Sequence, residues 1–396
     1  MQKLLIIGAS TLQLPAIKLA KQLGYHTIVA DYNKYAVGVS FADEYYNVST
    51  IDEEGILELA KQVQPDGIMT LATDMPMRSI ARATSALNIP GISYDTAIRS
   101  TDKGEMIQVF EKHNVEHPWY YIVNKLNTLS DIKENIQYPC VVKPTDNAGN
   151  RGVCFVGNED ELIEAYEYSL KNSRSGDVII EEYMEGHEVS VEIIVVNSQV
   201  HIIAITDKQT LGVPYFVEIG HSQQSQLSPE DIEKIKDLAT RAVTAIGIDN
   251  SPAHVEIMLT TDGPKMVELG ARLGGGCITT HLVPLSTGVN MVKAVIDLSL
   301  GNTPDIQPKY CKGSALLHIT GVEGIITRIS GIEDAQKIEG IKEVNILKNI
   351  GDETRYFMNG NDRIGYVIAQ GANAEDALNR CREALNLIKI ETQKSK

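Results

Sequence analysis

Apolar and polar positions repeat on two different periods along this chain, and the switches between them mark out its elements. In the first hundred residues, short apolar runs alternate with stretches of helical, 3.6-residue periodicity. Leu4-Leu-Ile-Ile7 reads as a buried strand, and Ala16 to Leu23 as a helix that Gly24 ends. His26-Thr-Ile-Val-Ala30 and Gly67-Ile-Met-Thr-Leu71 read as further strands, with helices expected over Ile51 to Val63 and Met77 to Leu87. Repeated strand–helix–strand units predict a doubly wound parallel sheet.

After Ser100-Thr-Asp-Lys the pattern becomes α+β. A helix is expected from about Asp102 to His113, capped by Thr101 or Asp102. Tyr138 to Lys143 predicts a strand closed by Pro144, Asp160 to Lys171 a helix, and Val178 to Tyr183 another strand. Glu188 to Val196 and Val200 to Thr206 make a hairpin about Asn197-Ser198, and Leu285 to Leu300 an amphipathic helix. Gly301 to Pro308 is rich in turn formers and reads as a linker. From about Lys309 short strands precede a last helix, Ala374 to Leu387, and Gln393 to Lys396 reads as a solvated tail.

A chain of 396 residues has room for two or three domains, and 43% hydrophobic with 22% charged residues is ordinary for a soluble globular protein. A formal net charge of −16 argues against nucleic acid or an anionic membrane as the main partner. No apolar run approaches the length of a membrane span, and Met1 to Ile7 reads as a first strand rather than a signal peptide. The five cysteines are scattered, odd in number and free of C-x-x-C spacing, which fits a reducing, cytoplasmic location.

The chemistry concentrates first in two short strands, His254 to Leu259 and Lys265 to Leu269, joined by Thr-Thr-Asp-Gly-Pro. Paired as a hairpin with an odd-length turn centred on Asp262, they set Glu256 directly opposite Glu268, on one face. Opposed like charges destabilise a sheet unless something neutralises them. Period-two alternation brings Arg272, in Gly-Ala-Arg-Leu-Gly-Gly-Gly276, to the same face. Two carboxylates and a guanidinium suit a divalent cation with a multiply charged anion, or else form a solvated hairpin with scattered charge.

Two further clusters carry candidate chemistry. Lys143 ends an apolar strand and precedes Thr145-Asp-Asn-Ala-Gly-Asn-Arg-Gly152, whose Gly149 and Gly152 expose backbone N–H groups of the kind that cradle phosphate. It is not a Walker loop, because the lysine precedes the glycines. The second cluster is Ile179-Ile-Glu-Glu-Tyr-Met-Glu-Gly-His-Glu188, where the backbone from Glu182 to Met184 offers an edge for adenine and Glu188 an acceptor for ribose hydroxyls. As bare composition, the first is a surface hairpin and the second an acidic strand end.

In order, Asp102-Lys103, Val142-Lys143-Pro144, the glycine loop, Glu181 to Met184, Gly186-His-Glu188, Glu256, Glu268 and Arg272 resemble the ATP-grasp superfamily over nearly the whole chain. The resemblance is closest to the carboxylate–amine ligases that include the bacterial L-amino acid ligases, with biotin carboxylase and carbamoyl phosphate synthase more distant. It implies three parts: a Rossmann-like pre-ATP-grasp domain over 1–100, an ATP-grasp domain over 101–305 with a flexible lid subdomain at about 114–184, and a small C-terminal α/β domain over 306–396. It implies ATP and Mg2+ as cofactors and small-molecule carboxylate and amine substrates. Relatives of this kind are often homodimers, a state that the acidic composition neither supports nor opposes.

By the same resemblance Lys103 and Lys143 contact nucleotide phosphates, and the loop of Gly149 and Gly152 closes over them. Glu181, Glu182, Tyr183 and Met184 hold adenine, and Glu188 the ribose. Glu256 and Glu268 bind magnesium, Arg272 faces the reacting carboxylate or phosphoryl group, and Lys208 contacts phosphate or substrate. One position departs from the pattern: relatives often have Glu-x-Asn-x-Arg, the asparagine being a further metal ligand, where this chain has Glu268-Leu-Gly270-Ala-Arg272. Water or a phosphate oxygen can fill that place, since magnesium commonly retains waters.

The expected activity is ADP-forming ligation of a carboxylate, an amino acid, to an amine through an acyl-phosphate. The alternatives are bicarbonate-using carboxylase or carbamoyl-phosphate chemistry, and a nucleotide-binding protein that has lost turnover. A nicotinamide site at Gly8 is not expected, because Gly-Ala-Ser-Thr-Leu-Gln has one glycine where the fingerprint needs three. His113 and His117 lack the glutamate placement of a zinc protease helix. His254 shares the face of Glu256, as a structural histidine or a neighbour of the metal. Thr73-Asp74 either touches substrate or caps the helix from Met77.

Overall fold

The first layer of the molecule is a parallel sheet made by apolar runs whose successive side chains enter two different cores. In this computed structural model, residues 1–124, 128–147, 149, 151–212, 217–321, 323–356 and 362–394 are described. Ala148 and Asn150 of the glycine loop, and Ser395 and Lys396 of the expected tail, lie outside the described residues. Strands β1 (Lys3–Ile7), β2 (His26–Ala30), β3 (Glu44–Tyr46) and β4 (Gly67–Met69) pair in the order β3-β2-β1-β4, all parallel. Leu5 and Ile7 face one core while Leu4 and Ile6 face the other, as period-two alternation requires. Helices α1 (Leu14–Gln22), α2 (Glu53–Val63), α3 (Met77–Leu87) and α4 (Tyr94–Arg99) complete this part.

Helix α5 (Lys103–Lys112) opens on Asp102, whose carboxylate accepts from the N–H groups of Gly104 and Glu105, so Asp102 rather than Thr101 is the cap. A second sheet follows: β5 (Tyr120–Val123), β6 (Cys140–Pro144), β7 (Cys154–Val156) and β8 (Val178–Glu182), antiparallel in the order β5-β8-β6-β7. It carries α6 (Leu129–Ile132) and α7 (Glu159–Asn172), and Leu162, Val142 and Ile180 share its own small core.

The centre of the molecule is an eight-stranded antiparallel sheet. Its strands are β9 (His187–Val196), β10 (Gln199–Thr210), β11 (Glu218–Gln223), β12 (Ser251–Thr260) and β13 (Gly263–Gly270), with three from the C-terminal part, the first being β14 (Gly313–Ile319). That part also holds β15 (Gly324–Ser330), β16 (Ile341–Ile346), β17 (Glu353–Thr354), β18 (Gly365–Gly371) and β19 (Lys389–Gln393). The order across the large sheet is β13-β12-β9-β10-β11-β14-β18-β16, while β17-β15-β19 form a small separate sheet. Helix α8 (Pro229–Ile246) covers one face through Leu238, Ala242 and Ile246, packed with Val191, Ile193, Val255 and Ile257. The C-terminal helices are α9 (Val283–Thr287), α10 (Met291–Ser299), α11 (Ile332–Gln336) and α12 (Ala374–Leu387).

The expected single helix over Leu285 to Leu300 is two helices. Gly288 adopts a left-handed φ of 79° after α9, and Asn290 then caps α10 by accepting from the Lys293 N–H. Apolar periodicity continues through the break, so only the glycine–asparagine pair marks it. The stretch read as a linker has no helix or strand, yet Ile306 within it is buried in the second core. Among the described residues no helix is long and apolar enough to cross a membrane.

Candidate active site

Glu256 pairs directly with Glu268 between β12 and β13, as the sequence predicts, although by a different route. The turn is shorter, with Thr260 opposite Gly263, and a bulge at Val267 restores the offset. A bulge adds one residue to one strand, so Met266 and Leu269, three apart, both enter the core. Both glutamates then lie on the opposite face, where β9, β10 and β11 add a continuous polar row. Ser190 pairs with Glu256 and with Thr206, and Lys208 lies opposite His221.

Lys208 occupies the middle of this row. Its ammonium lies 2.6 Å from Glu188, 3.0 Å from Glu256 and 3.2 Å from Glu218, and its side chain is only 6% exposed. Burial favours the neutral amine, but the three carboxylates outweigh it and raise the lysine pKa well above its ordinary value. For Glu256, burial opposes ionisation and Lys208 and His254 overcome it, leaving the carboxyl well below the usual range. Glu188 is the exception: burial, with Glu256 and Glu218 nearby, raises its pKa despite Lys208.

Lys103, the first residue of α5, reaches Glu268 at 3.1 Å and donates to the Asn147 carbonyl at 2.9 Å. Burial works against ionisation of Glu268, yet Lys103, aided by Lys143, holds its carboxyl below the ordinary value. His254 bridges two acids, Glu192 at 2.8 Å from Nδ1 and Glu256 at 3.1 Å from Nε2. Despite burial, these carboxylates raise its pKa to about 9, so it is charged at neutral pH. Arg272, just beyond β13, is gripped by Asp74, with Nε and Nη2 each 2.9 Å from one carboxylate oxygen. Asp74 is therefore not the cap of α3: the residue at that cap is Pro76, with no side-chain hydrogen bond.

The smaller sheet carries the remaining candidates. Lys143 on β6 and Glu181 on β8 form a buried ion pair at 2.5 Å. Glu182 takes two 2.8 Å hydrogen bonds from Lys265 of β13, and its N–H donates to the Trp119 carbonyl. Tyr183 meets Phe155 edge-to-face at 4.9 Å, and Met184, next to Tyr183 in the chain, is buried. Gly149 and Gly152 both adopt left-handed φ, 69° and 83°, as a tight backbone loop requires.

The candidate residues thus fall into two groups. Lys103, Lys208, Glu188, Glu256, Glu268 and Arg272 converge on the central sheet, while Lys143, Gly149, Gly152 and Glu181 to Met184 stand on the smaller one. The groups sense each other, since Lys143 acts on Glu268 and Glu181 on Lys103. A cavity of about 330 Å³ opens beside Lys103, Glu268, Asp74, Arg78, Asn147 and Arg174. Glu192, Glu218, Asn147 and Lys265 belong to the site's wiring but were not singled out by sequence. Among the described residues no three His, Cys, Asp or Glu side chains form a closed metal centre. In donor type Glu256 and Glu268 still suit magnesium, being hard, ionised oxygen donors paired across two strands.

An ATP-grasp domain model matches residues 136–281, and a model for L-amino acid ligase C-terminal domain 2 matches residues 318–393. The chain therefore carries an ATP-grasp domain, followed by a region that matches the C-terminal domain of L-amino acid ligases. Ligases of this family use ATP with Mg2+, and its carboxylate–amine members are ADP-forming carbon–nitrogen ligases. Among solved structures the chain is similar to an L-amino acid ligase from Bacillus licheniformis, with TM-score 0.86, 24% identity and coverage of 100% of this chain and 99% of that one. It is also similar to phosphoribosylglycinamide synthetase from Anaerococcus prevotii, with TM-score 0.80, 26% identity and coverage of 99% and 100%. Formate-dependent phosphoribosylglycinamide formyltransferase from Ignicoccus hospitalis is 23% identical over 411 residues, 98% of this chain and 96% of that relative.

Proposed function

We propose that this protein joins the carboxylate of an amino acid to an amine, spending ATP to ADP and phosphate through an acyl-phosphate. The observation that carries this reading is the opposed, ionised pair Glu256 and Glu268, flanked on one sheet face by Lys103, Lys208 and Arg272. Lys103 and Lys143 neutralise charge developing on the transferred phosphoryl group. Bound at Glu256 and Glu268, magnesium supplies further charge neutralisation to the phosphoryl oxygens. The backbone around Gly149 and Gly152 meets phosphate, Glu181 to Met184 receive adenine, and Glu188 accepts from ribose.

The substrate carboxylate attacks the γ-phosphoryl group, ADP departs, and an amine then displaces phosphate to leave an amide. Arg272 orients the carboxylate and stabilises the negative charge of the tetrahedral intermediate, with Lys208 beside it. The glycines from Gly274 to Gly276 let substrate approach the backbone closely. Acyl-phosphates hydrolyse readily, so the subdomain of about 114–184 acts as the lid that excludes water.

The test is phosphate release from ATP across pairs of amino acids. The expected result is release that needs both a carboxylate and an amine. Release driven by bicarbonate alone would place the chemistry on the carboxylase side. Tight ATP binding with no turnover across the panel would point to a nucleotide-binding protein without activity.

A further inference from the structure

The bidentate bond between Asp74 and Arg272 joins the loop after β4 to the strand that bears Glu268, 198 residues away in sequence. A side chain at position 270 would collide with it. A Cβ placed on Gly270 falls 2.4 Å from Asp74 Oδ1 and 3.1 Å from Arg272 Nε. Gly270 ends β13 and its φ is not left-handed, so the close approach is what requires glycine here. The donors of Arg272 divide accordingly. Nε and Nη2 each give one N–H to Asp74, and Nη1 gives one to the Leu273 carbonyl at 3.3 Å. A guanidinium has five N–H groups, so one remains on each terminal nitrogen, which is the fork that grips a carboxylate or phosphoryl group.

We propose that Asp74 is the positioning residue for Arg272, holding one edge of the guanidinium so that the end edge faces the reacting group, and that position 270 is glycine because the Asp74 carboxylate fills the space of its side chain. This rests on the reading of Arg272 as the group that meets the substrate carboxylate. A carboxylate from the parallel-sheet part thereby completes the arrangement on the central sheet. Asp74 lines the same cavity as Lys103 and Glu268.

The experiment compares Asp74→Asn, Gly270→Asp and the exchange of both, Asp74→Gly with Gly270→Asp. Turnover is measured as phosphate release with the active amino acid pair from the panel. Nucleotide affinity is measured by calorimetry with Mg2+ and a non-hydrolysable ATP analogue. Each single variant is expected to lose at least about tenfold in kcat/KM for the amino acid that supplies the carboxylate, with analogue Kd within about twofold of the parent. The exchange is expected to recover at least about fivefold over the better single variant, because it removes the clash at position 270 and restores one carboxylate beside Arg272. Turnover of Asp74→Asn within about twofold of the parent, or an exchange no better than either single variant, would overturn the proposal. A parent inactive with every pair would refute the ligase function instead. Asp74 would then be judged by melting midpoints of Asp74→Asn, Arg272→Lys and their combination. A double variant no worse than the worse single one supports the pairing, and strict additivity overturns it.

Discussion

Replacing Lys208 by methionine removes the one charge that three carboxylates share. The side chain keeps its length and apolar body, so the perturbation is electrostatic: Glu188, Glu218 and Glu256, each within 3.2 Å of the ammonium, lose their shared counter-ion. Removing one partner of a buried ion pair costs about 3–5 kcal/mol. The carboxylates here are partly open to solvent, so the whole cluster stays near that range rather than tripling it. At roughly 2–4 °C per kcal/mol, the melting midpoint near pH 7.5 should fall by roughly 6–20 °C. The sign with pH is also fixed. Carboxyls deprived of the ammonium have folded pKa values above their unfolded ones, and such groups contribute stability at low pH that is lost as pH rises through the folded value. The deficit should therefore shrink toward about pH 5.5, where proton uptake relieves the repulsion. The assay is circular dichroism melting of parent and variant at both pH values in chelator. A deficit below about 2 °C near pH 7.5, or one that grows on acidification, would show that Lys208 does not hold this cluster together.

Glu268→Gln should abolish magnesium-dependent phosphate release while the melting midpoint stays close to that of the parent; retained activity would remove Glu268 from the metal site. His254 gives a second pH signature in chelated protein. Its pKa rises from 6.5 to about 9 on folding, so its ion pairs stabilise fully below about pH 6.5, and that stability is lost as pH rises through about 9. The shift is worth about 3 kcal/mol, and His254→Gln should flatten the alkaline decline; an unchanged slope would refute this. Lys143→Met leaves Glu181 buried without its ammonium, and calorimetric affinity for Mg2+ with an ATP analogue should fall at least about tenfold. An unchanged affinity would place Lys143 outside the nucleotide site.

Local signals gave much of the architecture. Met77–Leu87 and Ala374–Leu387 are helices over the stretches their periodicity marks, and His26–Ala30 is a strand because its apolar run is short and β-branched. The opposed glutamates were paired correctly from the wrong turn, because the shorter turn and the one-residue bulge together give the same offset as the expected odd-length turn. The details that failed depend on single residues whose signal is faint. Gly288 splits a helix whose apolar pattern runs on across the break, and Val267 bulges with nothing in its type to announce it. Partners distant in sequence were less legible still. Asp74 was readable as a cap or a substrate contact, but its bond to Arg272 needs the packing of two sheets. Glu192 and Glu218 are ordinary strand residues until the eight-stranded order sets one beside His254 and the other beside Lys208.

The bulge at Val267 has a mechanical consequence. In a regular strand Lys265 and Glu268, an odd number of residues apart, would project to opposite sides. The extra residue reverses that parity, so one edge strand offers both to the same side: Lys265 as a tether to Glu182 on the smaller sheet, Glu268 to Lys103 at the site. A frame shift of a single residue thus works as a hinge pin, letting one strand carry both the latch of one sheet against the other and a carboxylate of the chemistry. Deleting Val267 would leave Lys265 and Glu268 two residues apart in a regular strand, still on one side, so the latch and the opposed glutamates should both survive the loss of the bulge.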